Sequence, residues 1–208
     1  MVRVYAIDGV VPFLHPESYV HPTASLIGDV IVEAGCYIGP GASMRGDFGR
    51  LVLRRGSNLQ DNCIVHGFPR TETVIEEEGH IGHGAVLHGC KIGRNALIGM
   101  SAVIMDGAVI GEDAIVAALA FVKAGFTVPP ATLVAGIPAR VVRPVSAEER
   151  AWKIAGTREY QELAVRSLAG MAETEPLREL TPARLAQRSQ GETGSEPLYL
   201  HKRRTGEG

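Results

Sequence analysis

The sequence predicts an all-β fold, a parallel β-helix of hexapeptide repeats, followed by a C-terminal α-helix. Three observations predict it. The first is a period of six. Large apolar residues fall at Val20, Leu26, Val32, Ile38 and Met44, again at Leu53, Leu59 and Val65, and at Ile75, Ile81 and Leu87. One residue is then skipped, and the longest run follows: Ile92, Ile98, Ile104, Ile110, Val116 and Val122. The second is a small-residue series four positions later: Ala24, Val30, Cys36, Ala42, Cys63, Ala85, Ala96, Ala102, Ala108, Ala114 and Ala120. The third is glycine just after the large residue, at Gly39, Gly82, Gly93, Gly99 and Gly111, read as suited to strained turn dihedrals. A six-residue repeat is neither the 3.6 period of a helix nor the two-residue alternation of a half-buried strand. Its constant register over most of the chain excludes chance enrichment in a sequence that is 45% hydrophobic.

The elements follow in chain order. Residues 1–145 form the β-helix, with coils over roughly 18–143. Each hexad is one short strand and a turn, and three hexads make one triangular coil. The register breaks at 46–52 and 67–74, and these read as loops leaving the coil. The small series fails there too, at Phe48 and Pro69. Loops on a rigid scaffold often carry function. Ser146 can N-cap a helix over 146–172, with Glu148 and Glu149 in its first turn. Trp152, Ala155, Leu163 and Leu168 give that helix an apolar stripe to pack on the β-helix wall. Residues 173–208, rich in Pro, Gly, Ser, Thr and charge, read as an extended or partly disordered tail, above all beyond Gln187.

Composition narrows the partners. Net charge is -2, no block of like charges occurs, and only 5% of residues are aromatic, so nucleic acid is not expected. No apolar run reaches the roughly 18 residues of a membrane span, and no signal peptide is read, so a cytoplasmic protein without a membrane partner is expected. Three cysteines without framework spacing fit a reducing compartment. Cys36 and Cys63 occupy the small inward slot and Cys90 falls near it, so all three read as core residues.

The stretch GHIGHGAVLHGC, residues 79–90, concentrates histidines. His66 and His88 each follow an inward residue, Val65 and Leu87. They are one coil plus a short insertion apart, so both point outward at one corner of adjacent coils. Adjacent parallel strands lie about 4.8 Å apart, close enough for two imidazoles to share a metal at ~2.0–2.1 Å each. His83 follows Ile81 by two and lies on the preceding side of the triangle. It cannot join them within one chain. A second subunit presenting its His83 completes the set, and a threefold homotrimer does so three times. Three imidazoles leave a coordination position open, the arrangement of a catalytic site, and suit Zn, Fe(II) or Co. His80 reads as solvent-facing or as a supporting residue. His15, His21 and His201 have no partners at useful spacing and read as structural or surface residues.

The motifs RGD at 45–47, SNLQDNCIVH at 57–66 and GHGAVLHGC at 82–90 resemble the γ-class carbonic anhydrase-like hexapeptide proteins. The resemblance runs from about residue 3 to 180. It implies a left-handed β-helix and a homotrimer with metal between subunits, held by His66 and His88 of one subunit and His83 of its neighbour. Arg45 and Asp47 then match an interface ion pair beside the metal, and Gln60 the residue that hydrogen-bonds the water there. Asn58 and Asp61 match motif positions near the site, and Phe48 and Phe68 would line a substrate pocket. Two glutamates that move protons in the archetypal anhydrase are missing: Phe48 and Pro69 stand in their places. Glu72, Glu76, Glu77 and Glu78 follow on the next loop, with nothing to place them at the metal.

Within that family the resemblance is closest to the branch associated with aryl-CoA by-products of phenylacetate breakdown. The first functional expectation is therefore a metal-dependent thioesterase acting on acyl-CoA. A γ-type carbonic anhydrase, with CO2 or bicarbonate as substrate, is the second. A CoA acyltransferase is the third, since LVAGIPARVVR at 133–143 resembles the end of such β-helices. A non-catalytic trimer with a structural metal is the fourth.

Overall fold

The computed structural model describes residues 2–188 and 197–205. Its centre is a left-handed parallel β-helix of about seven turns. The first face stacks Tyr19–Val20, Tyr37–Ile38, Asn58–Leu59, His80–Ile81, Leu97–Ile98, Ile115–Val116 and Thr132–Gly136 in parallel register. Ala139–Pro144 folds back antiparallel to end this face. The second face stacks Ser43–Leu53, Ile64–His66, Val86–His88, Val103–Ile104 and Phe121–Val122. The third face takes the far end of Ser43–Leu53, then Glu72–Ile75, Lys91–Ile92, Val109–Ile110 and Thr127–Val128.

The two sequence series become one core. Leu26, Ile38, Leu59, Ile81, Leu87, Ile98 and Ile104 are fully buried, with Ala24, Ala85, Ala96 and Ala102 between them. Each large side chain removed from water contributes about 1.5–3 kcal/mol. The small residue leaves room for the next coil's large one. Cys36, Cys63 and Cys90 lie in this core, and burial raises their thiols to about 11, 11 and 12. At neutral pH they are protonated apolar filler.

Four expectations are corrected. The break at 46–52 is an outward bulge within a strand, residues 47–50 standing opposite Asp29 alone, rather than a separate loop. Ser43–Leu53 is one continuous strand, and its extra residues are absorbed where the register against Ser25–Val32 shifts between Gly28 and Val30. Only the second break, after His66, is a loop; strand resumes at Glu72. The glycines at 39, 82, 93, 99 and 111 are not in the left-handed region. They are required by close stacking: a Cβ on Gly82 would lie 2.9 Å from the Ile98 carbonyl oxygen, and one on Gly93 2.6 Å from that of Ile110.

The helix α1 (Ala147–Gly170) starts at Ser146 with a capping box to Glu149. Its buried face, however, is Glu149, Lys153, Thr157, Ala164 and Ser167, while Leu168 is exposed. The wall beneath carries both an aromatic patch, where Tyr19 and Tyr37 pack against Ala164, Tyr160 and Leu163, and polar side chains and turn carbonyls that hydrogen-bond the helix. Lys153 Nζ donates to Asn95 Oδ1 and the Glu78 carbonyl, both at 2.6 Å, and Gln161 Nε2 donates to the Gly56 carbonyl at 3.0 Å. Burial draws the Lys153 ammonium down to about 7.

The tail contains two short helices, α2 (Pro182–Ala186) and α3 (Leu198–Thr205), where extended chain was expected. Lys202 of α3 donates to Glu149 Oε1 at 2.8 Å. Of the tail, residues 189–196 and 206–208 lie outside the described residues, as does the side chain of His201. No helix among the described residues is long and apolar enough to cross a membrane.

Candidate functional site

The second and third faces meet at a corner where His66 and His88 end paired strands in direct register. His66 Nδ1 and His88 Nε2 are 3.0 Å apart. The far nitrogen of each ring meets a carboxylate: His66 Nε2 lies 3.0 Å from Asp47 Oδ1, and His88 Nδ1 lies 2.6 Å from Asp106 Oδ1. Arg45 donates to the other oxygen of Asp47 at 2.6 Å. Desolvation opposes ionisation of Asp47, but the hydrogen bonds from Arg45 and His66 outweigh it and hold the carboxyl below its usual range. Phe48 and Phe68 flank the pair, with ring centroids 5.5 Å from His66 and 5.1 Å from His88.

Asn58, Gln60, Asp61 and His83 stand elsewhere, along the first face and its turn into the second. His83 Nδ1 lies 2.6 Å from Asp61 Oδ2, and its Nε2 lies 3.5 Å from the Tyr160 hydroxyl of α1. Gln60 is buried; its amide nitrogen donates to Asn58 Oδ1 at 3.0 Å and lies 2.8 Å from His80 Nε2. Within one chain, Gln60 therefore belongs with the His83 side and not with His66 and His88.

Of the two readings for His80, solvent-facing or supporting, the structure gives the supporting one, a hub beneath α1. Its Nδ1 lies 3.2 Å from Asn58 Nδ2 and 3.3 Å from Thr157 Oγ1, and its ring meets the edge of Tyr160 at 5.4 Å. Burial, aided by Lys153, lowers His80 to about 3, so it is a neutral imidazole at any working pH. His15 and His21 make turn contacts to Glu17 and Thr23.

Whether these residues suit a metal can be judged from their nitrogens. With each far N–H donated to its carboxylate, His66 Nδ1 and His88 Nε2 present two lone pairs to one another across 3.0 Å. A cation between them relieves that contact. Two ligands at ~2.05 Å on a tetrahedral ion are about 3.3 Å apart, close to this separation. His83 repeats the pattern in part, with a carboxylate on Nδ1 and with Nε2 3.5 Å from the Tyr160 hydroxyl. A carboxylate behind each imidazole is how metal-ligating histidines are oriented. The set fits a divalent transition metal, yet among the described residues of one chain no three His, Cys, Asp or Glu side chains converge on one point.

Over 83% of its length the chain is 64% identical to the carnitine operon protein CaiE of Citrobacter koseri, and the match covers 88% of that protein. To the CaiE of Salmonella newport it is 57% identical over 93% of the chain and 96% of the relative. The chain belongs to the CaiE family of hexapeptide-repeat proteins. A family profile, bacterial transferase hexapeptide (six repeats), matches residues 89–124. Two solved structures share the fold at 32% identity. One is a Bacillus cereus protein provisionally called an acetyltransferase, with a TM-score of 0.80 over 81% of this chain and 98% of that one. The other is a hexapeptide transferase family protein from Anaplasma phagocytophilum, with a TM-score of 0.76 over 79% and 97%. These CaiE relatives carry a carnitine name, where the motifs led us to expect a phenylacetate one.

Sequence reasoning missed three residues of this CaiE-family site: Asp106, Tyr160 and the supporting Thr157. Asp106 was findable, because it lies 18 residues after His88, which is one uninterrupted coil. Tyr160 and Thr157 were not, because the six-residue register ends before α1 and cannot say which helix positions meet the wall.

Proposed function

We propose that this protein transfers acyl groups from CoA thioesters to a small acceptor, at a site completed by a second copy of the chain. The likeness to hexapeptide transferases carries the acyl-transfer reading, and the His66–His88 pair, with a third imidazole at another corner of the same chain, carries the shared site. The surface between them supports self-assembly. Ile64, Val86, Val103 and Phe121 form an outward apolar ladder in register on the second face. Ile64 is 48% exposed, and Met100 and Leu119 beside His83 in the next coils are 56% and 68% exposed. A β-helix face turned to water has no reason to be apolar, and a threefold assembly covers it while bringing His83 to His66 and His88. The transferase descriptions of the structures at 32% identity support acyl transfer.

The residues that would hold a divalent metal are His66 Nδ1, His88 Nε2 and His83 Nε2 of a second copy. A metal held there would polarise the thioester carbonyl as a Lewis acid. The chain's own groups do the rest. Asp47 and Asp106 orient the two imidazoles and fix their tautomers, and Arg45 fixes Asp47 while its side chain stays 44% exposed beside the pair. Asp61 orients His83 through Nδ1, while the Tyr160 hydroxyl, 3.5 Å from Nε2, would have to yield that nitrogen to the metal.

Hydrolysis of the same thioesters is the second reading. It differs only in taking water as acceptor, and the carboxylate-backed imidazoles favour it, since acyltransferases of this fold usually use one histidine base. CO2 hydration ranks below both: Phe48 is an exposed apolar ring where that chemistry places an acid. The test is CoA release from acetyl-, aryl- and betainyl-CoA thioesters by metal-defined protein, with and without amine and alcohol acceptors. Release that depends on the acceptor supports transfer, and acceptor-independent release shifts the assignment to hydrolysis. Full activity in metal-free protein or in His83→Ala sinks the shared site.

A further inference from the structure

Between α1 and the first face lies a cavity of about 370 Å³ that the proposed reaction does not use. Small-molecule sites commonly measure roughly 300–1,000 Å³. The helix contributes Trp152, Lys153, Gly156, Glu159 and Tyr160, and the wall contributes His80 and Leu97. The lining is therefore mostly ring and aliphatic carbon. Gly156 keeps the helix side open. A Cβ there would stand 3.9 Å from His80 Cε1, an ordinary contact, so crowding does not require the glycine. Glycine weakens a helix interior, and its effect here is to widen the cavity.

Glu159 gives the cavity its polar point. Its Oε1 is buried, and no donor among the described residues reaches it. A buried acceptor without a partner keeps its full desolvation penalty. The neighbouring polar groups are turned elsewhere. Lys153 Nζ donates to Asn95 Oδ1 and the Glu78 carbonyl, His80 meets Asn58, Gln60 and Thr157, and the Tyr160 hydroxyl faces His83. The missing donor can come from a ligand. The surroundings also set that ligand's charge. Burial lowers Lys153 to about 7, and burial, then Lys153 and His83, lower His80 to about 3. An ammonium entering here would meet the same desolvation and the same lysine. A neutral O–H or N–H avoids both and still makes a charge-assisted hydrogen bond to a carboxylate. A flat ring beside that donor suits walls formed by an indole and a phenol ring.

We infer that this cavity binds a neutral aromatic molecule carrying one O–H or N–H donor, of the phenol or indole type. The donor meets Glu159 Oε1 and the ring lies against Trp152 and Tyr160. The site stands apart from the acyl-CoA reading and does not depend on it.

The test measures calorimetric Kd values on the full chain for two matched pairs of probes. These are 4-ethylphenol against 4-ethylanisole, and indole against 1-methylindole, the second member of each pair having no donor. The donor is expected to tighten binding about tenfold. A difference in one pair alone supports the site and identifies its donor. Trp152 is the chain's single tryptophan, so binding should also change its fluorescence. Glu159→Leu should bind both members of each pair equally and melt no lower than wild type, because it removes the unpaired oxygen. Gly156→Leu should fill the cavity and abolish binding of all four probes, and Glu159→Leu decides the matter alone if Gly156→Leu does not fold. Several results would overturn the site: no binding of any probe, equal Kd values within both pairs, or tighter binding of 2-phenylethylamine than of 4-ethylphenol. So would a donor preference that survives Glu159→Leu, or binding that survives in folded Gly156→Leu.

Discussion

The two histidine corners of this molecule are built from the same β-helix and end in opposite chemical states. At the His66–His88 corner the rings are paired, backed by Asp47 and Asp106, and half-buried between two exposed phenyl groups. At the other corner α1 covers the wall. His80 is half-buried under the helix and neutral, and His83 is the exposed imidazole, beside Tyr160. A coil offers equivalent outward positions at every corner. What packs against the corner then decides whether an imidazole keeps an accessible nitrogen or becomes a structural hydrogen-bonding hub.

The largest effect that can break this comparison comes from separating the corners genetically. His66→Ala and His83→Ala should each lower kcat/KM by at least about 1000-fold, more than the loss expected for an outer partner of a ligand. Co-assembled in equal amounts, the two inactive variants should regain about a quarter of wild-type activity, because one in four ordered subunit pairs then carries both intact halves. No recovery in a verified mixed trimer would show that the corners do not share a site.

Next in size are the carboxylates. Asp106→Asn and Asp61→Asn should each cost about 10–100-fold in metal affinity and activity. A loss confined to Asp106→Asn would make His83 a surface residue and end the symmetry between the corners.

The helix supplies two smaller effects, both on stability. Hydrogen bonds from Arg143, then from Lys202 and Ser146, overcome desolvation and lower Glu149 to about 2. A depressed carboxyl stabilises fully above its unfolded range near 4.5 and loses that contribution as pH falls toward 2. Glu149→Gln should therefore cost about 1–2 kcal/mol at pH 7, with the difference from wild type vanishing in melts near pH 2. Lys153 titrates near 7 in the fold against 10.5 unfolded, so the unfolded chain binds the extra proton between those values. Stability from this group rises as pH goes from 7 toward 10. Melting temperatures of wild type minus Lys153→Met should climb across that interval, and a flat difference would place the Lys153 amine in contact with water.

Much of the fold was legible because a β-helix is periodic. A residue such as Ile98 meets its neighbours one coil away, so spacing in sequence is position in space, and the pairing of His66 with His88 could be counted. Legibility stopped where periodicity did. The insertion after Gly46 kept its strand by a register shift, which no count of sixes distinguishes from a loop. The face of α1 was read as the apolar stripe of Trp152, Ala155, Leu163 and Leu168; Leu163 does pack on the wall with Tyr19 and Tyr37, Leu168 is exposed, and the wall also takes Lys153, Thr157 and Gln161 as hydrogen-bonding partners.

The sequence by itself determined the coil, its core of Leu, Ile and Val with Ala and Cys between them, and the corners at which His66, His83 and His88 emerge. Those follow from a six-residue repeat and the need to bury its large residues. Only the tertiary structure decided that His80 is a neutral hub, that Asp106 backs His88, that Gln60 sits with His83, and that Phe48 and Phe68 flank the histidine pair. Each of those depends on a contact between segments with no fixed offset in the chain, a loop against a strand or a helix against a wall, and such contacts are set by packing rather than by period.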